Sequence, residues 1–420
     1  MIVLLIILLI VLALFGMPLF AVLGSIALAL FRSADIDISS VAVSMYTLAN
    51  SPLLVAIPLF TFAGYLFAYS KAPDRLVKLS RALFPGGLAV VALVSCAVFT
   101  AFTGASGVTI IAMGGLLLPA LIKDGYSKRF NLGLLTASGS LGLLFPPSLP
   151  LILYGYVAAV SVDKLFLAGL LPGIFLVLVL SVFGIWRGRK DGVVREKMTL
   201  RSAVAAIRGA AFEVPLPFLV LGGIYGGIIT VMEAAALTAF YALIVEVFIY
   251  RDIPVRRLPG IIAESMMLVG GILIILACAL GLTNYLIDAE IPMKLLGWMQ
   301  QYVSSKYTFL LLLNIFLLVV GCLMDIFSAL IVVVPLIVPV ATGFGVDPVH
   351  LGVIFLTNLE IGYLTPPVGL NLFISSYRFN EPVVSLYMAS IPFLLLLLAA
   401  LLVITYVPAI SLALVGLAGG

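Results

Sequence analysis

Apolar positions in this chain run in long blocks instead of alternating with polar ones, and short polar connections separate the blocks. A block of about 20 apolar residues is long enough to cross ~30 Å of hydrocarbon as a helix. The first block, residues 2–31, lacks a basic leading region and is too long for a signal peptide. It predicts a first spanning segment, kinked at Gly16-Met17-Pro18. Two blocks, residues 88–122 and 307–342, are nearly twice the usual length. Each predicts a pair of helices meeting at a tip, at Thr103-Gly104-Ala105-Ser106-Gly107 and at Met324-Asp325-Ile326. The middle, residues 213–282, predicts three spanning helices, with Gly222, Gly223, Gly226 and Gly227 spaced for close helix approach. Residues 199–208 and 293–302 are amphipathic and predict arms lying along the interface, where Trp298 and Tyr302 suit the depth.

Charge adds an orientation. Eighteen of the 22 basic residues fall in residues 71–81, 123–129, 187–208 and 251–257 and at Arg378. The positive-inside rule assigns these to the cytoplasm, with the N-terminus cytoplasmic and the C-terminus periplasmic. Residues 88–122 then enter and leave from the cytoplasmic side and residues 307–342 from the periplasmic side, as re-entrant hairpins. The apolar fraction of 64% and charged fraction of 10% exclude a soluble domain of this size. The net charge of +4 reflects topology and gives no reason to expect nucleic-acid binding. Cys96, Cys278 and Cys322 lie in apolar segments and read as buried structural thiols. No phosphate-loop motif and no His/Cys zinc spacing occurs, so neither ATP hydrolysis nor a transition-metal site is expected.

The two halves align at an offset of 220 residues. Pro119 meets Pro339, Gly125 meets Gly345, Gly142 meets Gly362, Pro146-Pro147 meets Pro366-Pro367, and Pro172 meets Pro392. Each half reads as a hairpin, a spanning segment broken at Pro-Pro, and a further span. With one hairpin opening from each side the repeats are inverted, and inverted repeats with broken helices are a carrier architecture. The expected organisation is scaffold helices in 1–87 and a first transport repeat in 88–190, with its broken helix at 131–160. Central scaffold and arm helices follow in 191–304, and a second transport repeat in 305–420, with its broken helix at 350–377.

Unwound backbone survives at membrane depth only inside protein or along a wet cavity. Proline removes amide donors at the two breaks, and the carbonyls this frees, with nearby hydroxyl and amide oxygens, suit a hard cation. The first half offers Thr103, Ser106, Thr109, Ser138, Ser140 and Ser148; the second offers Asp325, Ser328, Thr357, Asn358, Glu360 and Thr365. Single Ser or Thr residues in spans often serve only as packing glue. A carboxylate in a span is costly and usually functional, which favours Asp325 and Glu360. Glu233 and Glu246 are expected to snorkel or pair near scaffold ends, and His350 to be structural. Helix N-termini at the same breaks carry partial positive charge suited to an anionic substrate.

Phe102-Thr103-Gly104-Ala105-Ser106-Gly107, Leu144-Phe145-Pro146-Pro147-Ser148, Asp325-Ile326-Phe327-Ser328 and Tyr363-Leu364-Thr365-Pro366-Pro367-Val368-Gly369 resemble the large membrane subunit of tripartite ATP-independent periplasmic (TRAP) transporters, and the resemblance covers essentially the whole chain. It implies an all-α polytopic elevator carrier of the ion-transporter superfamily plan, driven by sodium in the bacterial inner membrane. It implies two partners, a small four-helix membrane subunit and a periplasmic binding protein that delivers an organic acid such as a sialic acid or C4-dicarboxylate. No cofactor beyond sodium as coupling ion is expected. On this reading sodium binds at Thr103, Gly104 and Ser106 with Pro146 and Ser148, and again at Asp325 and Ser328 with Thr365 and Gly369. Substrate lies between the tips, near Thr109, Ser138, Ser140, Asn358 and Glu360. The alternatives are a stand-alone sodium- or proton-coupled anion carrier of the same superfamily and, remotely, an intramembrane hydrolase using Asp325 or Ser106.

Overall fold

The computed structural model describes residues 2–83, 87–193 and 200–418, all helices and connections with no strand among the described residues. Eight helices there are long and apolar enough to cross a membrane, and a bent pair, Lys128–Leu144 with Leu149–Val157 at 47°, makes a ninth. The first apolar block is two helices, Ile2–Leu14 and Leu19–Ser33, parted at Gly16-Met17-Pro18 as the sequence suggests. The middle differs from expectation. It holds two long helical runs, Val231–Ile249 and Val255–Asp288, while Pro215–Tyr225 spans only 11 residues, too short to cross. Thr230 ends the preceding turn by capping the next helix, and Glu233 completes a capping box with it, so Glu233 is a cap and not a membrane charge. Among the described residues, the glycines at 222–227 bring no neighbouring helix close. A side chain at Gly222 would meet nothing, and those at Gly223 and Gly226 would meet only Ile228, Ile229 and the local backbone.

The internal repeat reappears in the helix boundaries. Ser106–Lys123 shifts by 220 residues onto Ile326–Gly343, and Lys128–Leu144 onto a helix starting at Pro348. Leu149–Val157 falls onto Leu370–Phe379, and Val162–Lys190 onto Val383–Tyr406, each within two residues at its start. Packing follows the same register. The first part of each broken helix lies against the first leg of its own hairpin, and the second part lies against the second leg of the opposite hairpin. Thus Leu370–Phe379 packs on Ser106–Lys123 and Leu149–Val157 on Ile326–Gly343, so the two halves are interlocked.

The N-terminal helices and the middle pack separately from this unit for much of their length. Pro52–Tyr69 lies against Val231–Leu243 and Leu258–Asp288, and Leu19–Ser33 lies against Leu258–Asp288. An ion cluster ties the helix that follows, Ala72–Leu83, to this scaffold. Arg75, 12% exposed, contacts Glu213 and Asp252 and makes two bonds of 2.9 and 2.7 Å to Glu246, and it stacks 3.9 Å over the Tyr250 ring. Burial opposes the Arg75 charge, but hydrogen bonds and charges from Asp252, Glu246 and Glu213 outweigh it and raise its pKa. Glu246 lies on a π turn, Ile244–Ile249, and is fully buried.

Candidate functional site

The chain turns between helices at residues 104–105 and 324–325, the helices are interrupted around both Pro-Pro pairs, and each turn meets the break of its own half. At the first tip the legs are parted by Gly104 and Ala105. Gly104 has φ +64°, a conformation open to glycine at little cost, and its N–H donates to Thr100 O at 2.8 Å. The Thr100 hydroxyl lies 2.7 Å from Cys96 O, 2.8 Å from Thr109 Oγ1 and 3.0 Å from Gly139 O, which joins both legs to the first broken helix. Thr103 approaches Thr109 at 3.5 Å. The carbonyls that Pro146 and Pro147 would leave unpaired in a helix are Gly142 O and Leu143 O. Phe145 N donates to the first at 3.0 Å and the Ser148 hydroxyl donates to the second. The break is therefore internally satisfied, and an ion there would use the second lone pair of these oxygens.

The second site is built differently from the same plan. Asp325 caps Ile326–Gly343, accepting from Phe327 N and Ser328 N at 3.0 Å each and from the Ser328 hydroxyl. This capping explains part of its cost inside an apolar block. The Tyr363 hydroxyl accepts from Ile326 N at 2.6 Å, and Gly369 N donates to Cys322 O at 3.2 Å, stitching tip to break. Thr365 N recovers Gly362 O at 2.9 Å, and the Thr365 hydroxyl bonds Ile361 O. Both Pro-Pro bonds are cis. The two sites differ in cover: Pro146, Pro147, Ser148, Thr103 and Ser106 are buried, whereas Asp325, Pro366, Pro367 and Val368 are exposed in the isolated chain.

The residues expected near substrate fall into three environments. Ser138 and Asn358, at equivalent positions, turn inward. Ser138 bonds Leu135 O, while Asn358 Nδ2 donates to Asn314 Oδ1 at 2.7 Å in a chain that continues through Thr405 to His350. Thr109 is held in the first tip. Ser140 accepts from Asn371 Nδ2 at 3.3 Å, and Thr136 lies 2.9 Å from Ser375, so the two broken helices meet through polar groups. Glu360, the equivalent of Ser140, is fully buried, and both its carboxylate oxygens are without a hydrogen-bond partner among the described residues. The equivalent of Asn371 is Leu151, so the polar partner that Ser140 has is missing from the Glu360 register. Thr100, Tyr363, Asn371 and Asn314 were missed by sequence reasoning. Asn371, just past the second break, carried the only usable signal. Glu264 is bonded by the Tyr69 hydroxyl and Glu246 by Arg75, both outside the broken-helix unit.

A family profile described as the DctM component of tripartite ATP-independent periplasmic transporters matches residues 4–410. The chain belongs to this family. As a DctM-family permease it is a multi-span membrane transport component. It is 38% identical to the C4-dicarboxylate TRAP transporter large permease protein DctM of Rhodobacter capsulatus, over 98% of both chains. It is 35% identical to the isethionate TRAP transporter permease protein DctMQ of Oleidesulfovibrio alaskensis, over 94% of this chain and 63% of that longer protein. Among solved structures, the YdaH transporter of Alcanivorax borkumensis superposes with a TM-score of 0.65, over 90% of this chain and 89% of that one. At 13% identity that likeness concerns the fold alone.

Proposed function

We propose that this DctM-family permease carries a small organic anion inward across the bacterial inner membrane by an elevator motion coupled to sodium, with a periplasmic binding protein delivering the substrate and a small membrane subunit completing the scaffold. The observation that supports this reading is the interlocking of two tip-and-break units in one register, with oxygen-rich unwound backbone in each, an arrangement suited to carriers. Sodium occupies Thr103, Gly104, Ser106, Pro146 and Ser148 in one unit and Asp325, Ser328, Thr365 and Gly369 in the other. The named relatives carry a dicarboxylate and isethionate, both small anions. The anion is held by helix ends: the N-terminus of Ser106–Lys123 packs through Gly107 against Ile374, in the middle of Leu370–Phe379. The tripartite name of the family and the extra length of the DctMQ relative support the two partners.

Glu360 fits the cation side better than the substrate side, where its charge would repel an anion. Glu360→Gln keeps the shape of the side chain and removes its ionisable carboxyl. In proteoliposomes it is expected to raise the sodium concentration for half-maximal uptake several-fold while leaving thermal stability near wild type. An unaltered sodium curve would remove Glu360 from the coupling machinery. The main test uses the permease reconstituted with both partners and an imposed sodium gradient. Ser106→Ala and Asp325→Ala should each weaken sodium activation, and wild-type uptake should require the binding protein. Full sodium activation in both variants rejects the two ion sites. Uptake by the permease alone moves the protein to the stand-alone carrier reading.

A further inference from the structure

A cavity of about 240 Å³ lies among three helices: the start of Lys128–Ser138, the last two turns of Val162–Lys190 and the second and third turns of Val383–Tyr406. Arg129 and Arg187 stand at it, and its floor is Phe130, Phe183 and Phe393, whose ring centroids are 5.2–6.0 Å apart. Arg129 donates to Met388 O at 3.0 Å and Arg187 to Asp191 at 3.2 Å, and a guanidinium carries five N–H donors, more than these bonds use. The cavity opens beside an exposed apolar stripe: Leu178, Val182 and Trp186 recur every fourth residue and are each more than half exposed, flanking Phe183 and Arg187. Lys190 sits 5.6 Å over Trp186 and adds positive charge, while Asp191 offsets only part of it. These turns belong to the face that the basic clusters assign to the cytoplasm.

We propose that this cavity binds an anionic phospholipid from the inner leaflet, its phosphodiester between Arg129 and Arg187 and an acyl chain along Leu178, Val182 and Trp186. The pairing of cations with an aromatic floor and an adjoining apolar stripe selects this occupant. A free anion gains nothing from the rings, and a zwitterionic lipid, whose choline cation offsets its phosphodiester, gains less from two guanidiniums and Lys190. Bound there, the lipid braces the first broken helix against the terminal spans of both repeats. The site does not depend on sodium coupling.

The test is native mass spectrometry of the full-length protein with added phosphatidylglycerol or phosphatidylcholine. The wild type should prefer phosphatidylglycerol on the order of tenfold. Arg129→Gln with Arg187→Gln should bring the ratio near unity, and Arg256→Gln with Arg257→Gln, altering exposed basic residues elsewhere, should not change it. A preference that survives the first pair overturns the proposal, as does displacement of the lipid by equimolar inorganic phosphate. Photoreactive phosphatidylglycerol on the wild type gives an answer even if the variant fails to fold. Crosslinks should map to residues 178–187 or 388–393, and labelling confined to other segments refutes the site.

Discussion

Arg75→Ala should destabilise the protein by about 3–5 kcal/mol, the usual cost of removing one partner from a buried ion pair. Glu213, Glu246 and Asp252, at 3%, 0% and 8% exposure, would be left facing one another without their shared cation. The loss exceeds that of a surface pair because the guanidinium fork contacts three carboxylates at once and also covers the Tyr250 ring. Heat-induced unfolding in detergent should show a clearly lowered midpoint. Arg75→Lys should fall between, since an ammonium cannot bridge three acids in one plane. Adding Glu213→Gln and Asp252→Asn to Arg75→Ala should recover part of the loss by removing the repulsion. A midpoint unchanged by Arg75→Ala would mean that the cluster contributes nothing to holding Ala72–Leu83 on the scaffold.

Gly142→Ala and Gly362→Ala are expected to damage the broken-helix unit, each by about 1–3 kcal/mol, with loss of uptake. A Cβ on Gly142 would stand 2.2 Å from Ala97 O and 2.6 Å from Ala101 N, and one on Gly362 would stand 2.6 Å from Gly321. These neighbours are backbone, so relief requires a leg of the hairpin to move away from its break. The pair is informative because Ala101 and Gly321 are themselves equivalent in the 220-residue register. Gly222→Ala, with nothing within 4 Å, serves as the control and should be neutral or slightly stabilising. Equal stability and uptake in all three variants would show that the tips do not depend on contact with the breaks.

Much of this architecture was legible because proline and glycine act on the backbone directly. Pro146-Pro147 and Pro366-Pro367 mark the breaks, and Gly142 with Gly362 marks the close crossings, whatever the rest of the chain does. Length in apolar residues was a poorer guide: it suggested a third spanning helix in the middle where the chain forms the short Pro215–Tyr225. Side-chain partnerships were the least legible. Arg75 reaches acids 138 to 177 residues away, and Asn371 meets Ser140 across 231 residues, so no local spacing could reveal them. Asp325 stood out as a charge in an apolar block, yet its capping of the following helix depended on where the tip turned. Asn358 drew notice as a polar residue in a span, but its bond to Asn314 on the first leg of its own hairpin had no local signal.

The wide turn at Ile244–Ile249 can be viewed as a single inserted amino acid absorbed by an otherwise regular helix. Deleting one residue there would leave a continuous rod rather than a gap, but each position beyond would swing by about 100°. Tyr250 and Asp252 would then point away from the guanidinium, while the span kept its length and greasiness. The insertion thus sets the phase of the helix, and a hydropathy profile would not register its loss.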